Sequence, residues 1–98
     1  MAVYVLIEVA IRDAASYEEY KRQVPATIER HGGRYLVRGG RVMPVAGDWC
    51  PERLVVLEFP SSEHVRRWAS SPEYLALVPL RDRGAQMRAV AVEGYEAG

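Results

Sequence analysis

Arginine next to glycine is the feature of this sequence best suited to binding a small molecule. Arg38 ends a short run of aromatic and β-branched residues and is followed by Gly39 and Gly40. Its guanidinium offers a planar fork of donors to a carboxylate or phosphate, and the glycines let a ligand approach the backbone. The pattern predicts an anion clamp at the mouth of a pocket, with Arg34 on the same face if no bulge intervenes. The commoner alternative is that these arginines lie on a solvated edge strand or pair with glutamates.

His31 is the residue best suited to catalysis, because an imidazole changes charge near neutral pH and acts as an acid or a base. It also falls at the predicted end of a helix, where a cationic side chain is favoured by the last carbonyls and the helix dipole. Capping is therefore the competing interpretation. His64 is predicted to be a surface residue. The two histidines and Cys50 lack the spacing of metal ligands, and no nucleotide-binding motif occurs, so no metal or cofactor is expected.

Aromatic side chains are predicted to line a substrate pocket between the sheet and the helices. The candidates are Tyr17, Tyr20, Trp49, Trp68 and Tyr74. Arg81 comes shortly after them in sequence and either reaches back to the pocket or caps a helix. The alternative is that the tryptophans pack the core or an interface, as they usually do in so small a domain.

Composition favours one domain over residues 1–98. The chain has 98 residues, 49% of them hydrophobic, and a formal net charge of zero. A neutral chain lacks the electrostatic footprint of a protein that binds nucleic acid or anionic lipid. Cys50 is the only cysteine, so a reducing cytoplasm is the simplest location. Glu8 interrupts the apolar N-terminal run, which predicts neither a signal peptide nor a membrane span.

The first strand and helix are predicted from hydrophobicity and capping residues. The apolar, β-branched run 3–11 predicts a central strand. Ser16 and Glu19 form a capping box, which predicts a helix from there toward residue 31. Pro25 lies inside it and predicts a kink or two short helices. Gly32 or Gly33 then ends the helix.

The rest of the chain alternates strand and helix signals. Residues 34–45 predict a strand that is broken or bulged at Gly39 and Gly40, and residues 47–51 predict a turn. Residues 53–59 predict a buried strand, followed by a helix capped by Ser61 or Ser62. A short helix is predicted from Ser71 to Pro79, with a further helical turn at 81–85 and a last strand at 86–95.

The resulting order is β-α-β-β-α-β, which is the ferredoxin-like α+β arrangement. Right-handed crossovers place both helices on one face of a four-stranded antiparallel sheet with strand order 4-1-3-2. The first and third strands are apolar on both faces, so the face without helices needs a cover. A second copy of the chain is the predicted cover, which gives a homodimer through the open sheet face. Arg53 is the predicted partner of the Glu8 carboxylate.

Several separated strings resemble one family. They are HGGRYLVRGG at 31–40, GDW at 47–49, EFP at 58–60 and WASSPEYLALVPLR at 68–81. From Tyr4 to Gly94 the chain is similar to the small bacterial proteins called domain of unknown function 1330, in the dimeric α+β-barrel superfamily. The resemblance implies the ferredoxin-like subunit and the homodimeric barrel, and it implies no particular activity. The family pattern has a glutamate before GDW where this chain has Ala46, so a carboxylate shared by the family would be missing.

These observations leave two functions open. One is a small-molecule enzyme with an anionic or aromatic metabolite in the cleft, and relatives in the wider superfamily imply a cofactor-free isomerase or monooxygenase. The other is a non-catalytic homodimer that binds a metabolite or a partner protein. The same element order also builds RNA-binding domains, but residues 53–59 lack the stacking aromatics of an RNA-recognition strand, so nucleic-acid binding is not expected.

Overall fold

The structure, a computed structural model, describes residues 1–96, so Ala97 and Gly98 of the predicted domain lie outside it. Its strands are β1 (Val3–Ile11), β2 (Arg34–Arg38), β3 (Arg53–Phe59) and β4 (Ala85–Glu93). Its helices are α1 (Ala14–Arg30), α2 (Ser62–Ala69), α3 (Pro72–Leu75) and α4 (Val78–Gly84). The predicted order β-α-β-β-α-β is confirmed, with the second helical region divided into α2, α3 and α4.

The four strands form one antiparallel sheet in the order β2-β3-β1-β4, which confirms the predicted strand order. Alternate side chains of each strand point to opposite faces. Val9, Leu57 and Phe59 lie on one face and are 0% exposed, in a cluster that also holds buried residues of α1, α2 and α3. The hydrophobic core therefore lies between this face of the sheet and the helices.

Helix α1 begins earlier than its capping box predicts. Asp13 is the N-cap residue, and the Ser16 hydroxyl donates to the Asp13 carboxylate instead of accepting from an amide. Glu19 accepts from side chains one turn further on. The capping-box prediction is wrong because the chain is already turned into the helix at residue 13, where the Asp13 amide donates to the Gly84 carbonyl at 3.1 Å.

Pro25 does not divide the helix, since α1 runs unbroken from Ala14 to Arg30. Of the two predicted outcomes, the pair of short helices is wrong. A proline has no amide hydrogen, so the Lys21 carbonyl four residues earlier has no helical donor. The Nη2 atom of Arg38 donates to that carbonyl at 2.6 Å and replaces the missing bond.

Gly32 ends the helix as predicted. It has a φ of 80°, and its amide donates to the Glu29 carbonyl at 3.0 Å. Gly33 follows against the ring of Phe59, where a Cβ atom would lie 2.6 Å from the nearest ring carbon. The first glycine of the pair therefore makes the turn, and the second makes room for a core ring.

Strand β2 is shorter than predicted, because it ends at Arg38 and residues 39–52 form a loop. The register between β2 and β3 shifts between Tyr35 and Val37. The bulge is therefore at Leu36, and its predicted position at the second glycine pair is wrong.

The bulge sends Arg34 and Arg38 to opposite faces of the sheet. Arg34 is in register with Glu58 and forms an ion pair with it at 2.6 Å on the open face. Arg38 is in register with Val55, whose side chain lies in the core. The prediction that both arginines share a face depended on an unbroken strand and is wrong.

Serine caps start the later helices as predicted. Ser61 accepts from the His64 amide at the start of α2, and Ser71 accepts from the Tyr74 amide at the start of α3. Helix α3 has only 4 residues, and α4 includes Pro79 in its first turn, so the predicted helix end at Pro79 is wrong. Proline is tolerated there because the first turn of a helix needs no amide donor.

None of the described helices is long and apolar enough to span a membrane.

The sheet face opposite the helices is apolar at its centre, as the strand pattern predicts. Leu6 and Val56 are cross-strand neighbours on this open face. Val90 and Val92 continue it onto β4, where they are 65% and 50% exposed. A face of this composition is unusual on a chain that stays alone in water.

Glu8 also lies on the open face, where it forms an ion pair with Arg88. The predicted pairing of Glu8 with Arg53 is wrong. Arg53 is in register with Val9, the residue after Glu8, and neighbouring positions of a strand point to opposite faces. Glu8 and Arg53 are close along the paired strands, as predicted, but their side chains lie on different sides of the sheet.

Candidate functional site

A groove lies between the edge strand β4 and the helices α2, α3 and α4. Its volume is about 510 Å³. Three residues predicted to bind substrate line it together, namely Trp68, Tyr74 and Arg81. Its other walls are mostly aliphatic and include Ile7, Val65, Leu75, Val78 and Met87. This helix-side groove has the size and the apolar lining that are typical of a small-molecule site.

Trp68 forms a fixed wall of the helix-side groove. It is 5% exposed, and its indole Nε1 donates to the Thr27 hydroxyl at 3.0 Å. Its ring centroid lies 5.4 Å from that of Phe59 and 4.5 Å from that of Tyr74, in tilted arrangements that aromatic pairs prefer. Because its one polar hydrogen is already bonded, Trp68 offers the groove an apolar surface.

Tyr74 and Arg81 build the polar end of the groove. Arg81 Nη1 donates to the Tyr74 hydroxyl at 3.0 Å, and Arg81 Nε donates to Asp82 at 3.0 Å. The Tyr74 hydroxyl also lies 3.3 Å from that of Tyr20. Burial and the neighbouring Tyr74 raise the pKa of Tyr20, so its phenol stays protonated at neutral pH. A cation and a phenol at the end of an apolar groove suit an anion with an apolar body.

A second, smaller cavity, the inner chamber, lies beside the groove between the sheet and α1. The two cavities share Ile7, Trp68 and Met87 as walls. The inner chamber has a volume of about 30 Å³, which is enough for a water-sized group. Its remaining lining includes the rings of Tyr17, Tyr20 and Tyr35 and the side chains of Arg38 and Arg53.

Arg38 lies at the end of the inner chamber where β2 meets α1. Its guanidinium carbon is 4.6 Å from the centroid of the Tyr35 ring, within the range of a cation–π contact. Its bond to the Lys21 carbonyl anchors it on α1. Arg38 therefore reaches the space between sheet and helices, where it lines the inner chamber, whereas Arg81 lines the groove.

The backbone at Gly39 is approached by a side chain of the same chain. Gly39 has a φ of 75°, and a Cβ atom there would lie 2.1 Å from Nη1 of Arg53. Gly40 is more open, since a Cβ atom there would meet only Val37 at 4.0 Å. A group does approach the backbone closely at Gly39, the first glycine of the pair. That group is the Arg53 guanidinium, whereas a ligand was predicted.

Arg53 lines the inner chamber, although the sequence predicts that it pairs with Glu8. Its Nε donates to the Tyr17 hydroxyl at 2.9 Å, and its guanidinium carbon lies 5.5 Å from the centroid of that ring. The signal was present in β3, because residue 53 shares its side of the strand with the buried Val55 and Leu57.

His31 lies outside the residues that line the groove and the inner chamber. It is the C-cap residue of α1, and its Nε2 lies 2.7 Å from the Glu73 carboxylate on α3. The two side chains are 20% and 28% exposed. This contact ties the end of α1 to the short helix that carries Tyr74, so His31 touches the groove only through other residues.

The link between His31 and Glu73 predicts a pH dependence of stability. The hydrogen bond from His31 lowers the pKa of Glu73 in the folded chain. A carboxyl whose folded pKa is lowered contributes stability above its unfolded pKa, and that contribution is lost as the pH falls through the folded pKa. We expect urea unfolding midpoints to drop more between pH 6 and pH 3 in the wild-type chain than in Glu73→Gln. Equal drops in the two proteins would show that the link contributes nothing.

Trp49 lies on the open face of the sheet, apart from the other predicted pocket residues. It is 56% exposed, and its Nε1 is 3.4 Å from the Glu8 carboxylate. It lines a depression of about 290 Å³ on that face together with Leu6, Leu54 and Arg88. The loop 39–52 carries it there, and the path of an irregular loop is not encoded in hydrophobic periodicity.

The described part of the chain holds no cluster of metal ligands. Within residues 1–96, no three His, Cys, Asp or Glu side chains are close enough together to share an ion. Cys50 is exposed on the 39–52 loop, and His64 Nδ1 bonds the Ser61 hydroxyl at 2.7 Å.

Comparison with known proteins gives a family and a fold. A family model described as domain of unknown function (DUF1330) matches residues 2–95. No curated protein matches the chain. A protein of unknown function from Rhodopseudomonas palustris, RPA0582, is similar in structure with a TM-score of 0.79 and 20% sequence identity over 98% of this chain and 84% of that chain.

Two further structures share the same architecture. SnoaB, a cofactor-independent oxygenase from Streptomyces nogalater, has a TM-score of 0.67 and 12% identity over 98% of this chain and 95% of its own. A dimeric protein of unknown function with a ferredoxin-like fold from Bacteroides fragilis has a TM-score of 0.56 and 17% identity over 95% of this chain and 96% of its own. At these identities the likeness shows the fold, and the ferredoxin-like prediction is confirmed.

Proposed function

We propose that this chain, which belongs to the family called domain of unknown function (DUF1330), binds a small aromatic anion in its helix-side groove as one half of a homodimer. The observation that carries the proposal is the polar end of the groove. There the Arg81 guanidinium and the Tyr74 hydroxyl, 3.0 Å apart, end a groove whose other walls, apart from Arg88, are aliphatic or aromatic. Residues of these types bury a ring and hold one negative charge.

The shape of the groove supports an aromatic body for the ligand. The Trp68 and Tyr74 rings stand 4.5 Å apart at the buried wall, and Leu75, 51% exposed, lies on the outer one. Flat rings stack favourably on such surfaces. A volume of about 510 Å³ accommodates a ligand of one or two rings with a carboxylate or phenolate.

The homodimer is supported by the open face of the sheet. Leu6 and Val56 at its centre have no helix over them, and two ion pairs, Glu8 with Arg88 and Glu58 with Arg34, lie on the same face. A second copy that packs face to face buries the apolar centre of both sheets. The Bacteroides fragilis protein of the same fold is described as dimeric. Trp49, on this face, then belongs to the interface.

Cofactor-free catalysis is the second candidate function, and the hydroxyls of Tyr20 and Tyr74 favour it. They lie 3.3 Å apart, so one donates to the other and the remaining hydroxyl proton can be donated to an enolate or phenolate oxygen. SnoaB, of the same fold, is a cofactor-independent oxygenase. Phenols and a guanidinium stabilise an anion but do not readily remove a proton, so an isomerase or monooxygenase substrate would need an acidic carbon. Uptake of dioxygen with hydroquinones and phenols tests this candidate.

Arg81→Gln tests the binding proposal. With 1-naphthoate as the probe, we expect isothermal titration calorimetry to give a dissociation constant about tenfold or more higher for Arg81→Gln than for the wild type, because one charge-assisted hydrogen bond is lost. The neutral analogue 1-naphthamide should bind both proteins equally weakly.

Arg83→Gln is the matched control for that experiment. Arg83 lies on the same helix α4, is exposed and does not line the groove. The substitution removes the same charge, so a general electrostatic effect would weaken binding in both variants alike. Equal losses, or no binding of 1-naphthoate by the wild type, would contradict the proposal.

The cytoplasmic location predicted from the single cysteine remains part of the proposal.

A further inference from the structure

We infer a second anion site, independent of the helix-side groove, at the edge of the sheet where β2 meets α1. We call it the edge site and define it by Arg38, Arg53, Tyr17 and Tyr35. Its ligand is one small oxyanion, a carboxylate group or inorganic phosphate. The juxtaposition that carries the inference is a pair of arginines on neighbouring strands, each beside a tyrosine ring and neither bonded to a carboxylate.

The sheet places both arginines on the helix side at neighbouring positions. Arg38 on β2 is in register with Val55 on β3, and Arg53 lies two residues before Val55 on the same strand. Residues in this diagonal relation on adjacent strands are within reach of each other's long side chains. Arg38 lies 4.6 Å from the Tyr35 ring and Arg53 lies 5.5 Å from the Tyr17 ring, and all four residues line the inner chamber or its rim.

The charge of the edge site is not compensated within residues 1–96. Neither Arg38 nor Arg53 has a carboxylate within 4.0 Å there. The nearby carboxylates of α1 are paired with other cations, Glu18 with Lys21 and Glu19 with Arg22. Two positive charges beside a partly buried chamber favour the uptake of an anion.

The arginines also keep donors free for a ligand. Arg53 uses Nε for the Tyr17 hydroxyl, and Arg38 uses Nη2 for the Lys21 carbonyl. A guanidinium has five N–H donors, so most of them remain available on each side chain. Burial raises the pKa of Tyr35, which therefore keeps its hydroxyl proton for donation.

Gly39 is part of the edge site because it makes room for Arg53. A Cβ atom at this position would lie 2.1 Å from Nη1 and 2.5 Å from the guanidinium carbon of Arg53. A side chain at Gly39 would therefore push Arg53 out of its place against the Tyr17 ring. The inner chamber beside it, about 30 Å³, has room for a water-sized group, so the oxyanion of the proposal lies at the rim of the chamber.

The experiment is a titration of the folded protein with sodium acetate and, separately, sodium phosphate at constant ionic strength. The observable is the Nε–Hε signal of the arginines in nitrogen–proton NMR spectra. We expect a saturating shift of the Arg53 signal, and an apparent dissociation constant about tenfold higher in Arg38→Gln, since one charged hydrogen-bonding partner is removed. Acetate and phosphate as separate arms show which oxyanion chemistry is preferred.

Arg41→Gln is the charge-matched control, because Arg41 is exposed on the loop after β2 and does not line the chamber. A shift that grows linearly without saturation, or equal weakening in Arg38→Gln and Arg41→Gln, overturns the inference. Binding of 1-naphthoate in the helix-side groove should be the same in Arg38→Gln as in the wild type. The edge site and the groove are therefore tested independently of each other.

A glycine series gives an independent test of the edge site. Gly39→Ala and Gly47→Ala both place alanine at a positive φ, 75° and 76°, but a Cβ atom at Gly47 meets nothing within 4 Å. We expect anion binding to be lost in Gly39→Ala and retained in Gly47→Ala. If Gly39→Ala does not fold, Arg38→Gln carries the test, because Arg38 is exposed at the edge. Equal affinity in the two folded glycine variants contradicts the inference.

Discussion

Val56→Glu is expected to convert the proposed homodimer to a monomer at micromolar concentration. Val56 lies at the centre of the open face opposite Leu6, and in a two-fold dimer the substitution occurs twice. Burying one unpaired carboxylate costs about 3 kcal/mol or more. The two copies together therefore cost about 6 kcal/mol, which raises the dissociation constant roughly ten-thousandfold. Sedimentation velocity of the wild type and the variant measures the change directly.

Val45→Glu is the control for the dimer experiment. Val45 is 97% exposed on the 39–52 loop, so the same change of residue type there should leave the sedimentation coefficient unchanged. A wild-type chain that sediments as a monomer, or a Val56→Glu variant that remains a dimer, would show that another surface covers the apolar face or that nothing does.

Gly84→Ala is expected to destabilise the chain by about 3 kcal/mol, since overpacking against a backbone cannot be relieved by a change of rotamer. A Cβ atom at Gly84 would lie 2.6 Å from the Tyr17 amide nitrogen and 2.8 Å from its Cα atom. The Gly84 carbonyl also accepts the amides of Arg12 and Asp13, at 2.8 and 3.1 Å. The substitution therefore separates the end of α4 from the start of α1. Urea unfolding gives the free energy of unfolding in each protein.

Gly40→Ala is the matched control for Gly84→Ala. Gly40 is exposed, its φ is not positive, and a Cβ atom there would meet only Val37 at 4.0 Å. The free energy of unfolding should change by less than about 0.5 kcal/mol, as surface substitutions usually do. Similar losses in the two variants would show that the contact between α1 and Gly84 is not what limits stability.

The fold followed from the sequence because its signals are short-range and repeated. The apolar run of β1 and the Ser61 and Ser71 caps each needed only neighbouring residues to be interpreted. The start of α1 was predicted wrongly because a long-range contact decides it. The bond from the Asp13 amide to the Gly84 carbonyl joins residues far apart in sequence, and it prevailed over the local capping box at Ser16.

The candidate site was predictable only where one segment supplied it. Trp68, Tyr74 and Arg81 come from consecutive helices and were expected to lie together. Arg38 and Arg53 come from neighbouring strands, and their common face depends on the bulge at Leu36. A shift of one residue in register exchanges the faces of a strand, so a bulge that the sequence does not mark changes which side chains meet.

Pro25 shows a dependence of the same kind. The proline predicts a kink or two short helices, yet the helix is unbroken and Arg38 supplies a donor to the Lys21 carbonyl from a different part of the chain. A sequence pattern identifies the missing bond, but the replacement is visible only once β2 has been placed beside α1.

Binding of an aromatic anion beside Trp68, as proposed, is tested most directly by fluorescence. The chain has two tryptophans, so Trp49→Phe leaves Trp68 as the sole reporter. Titration of this variant with 1-naphthoate should change the Trp68 emission in a saturating way, and adding Arg81→Gln should raise the half-saturation concentration about tenfold or more. Emission that does not saturate, or that responds identically in the two proteins, would contradict the claim.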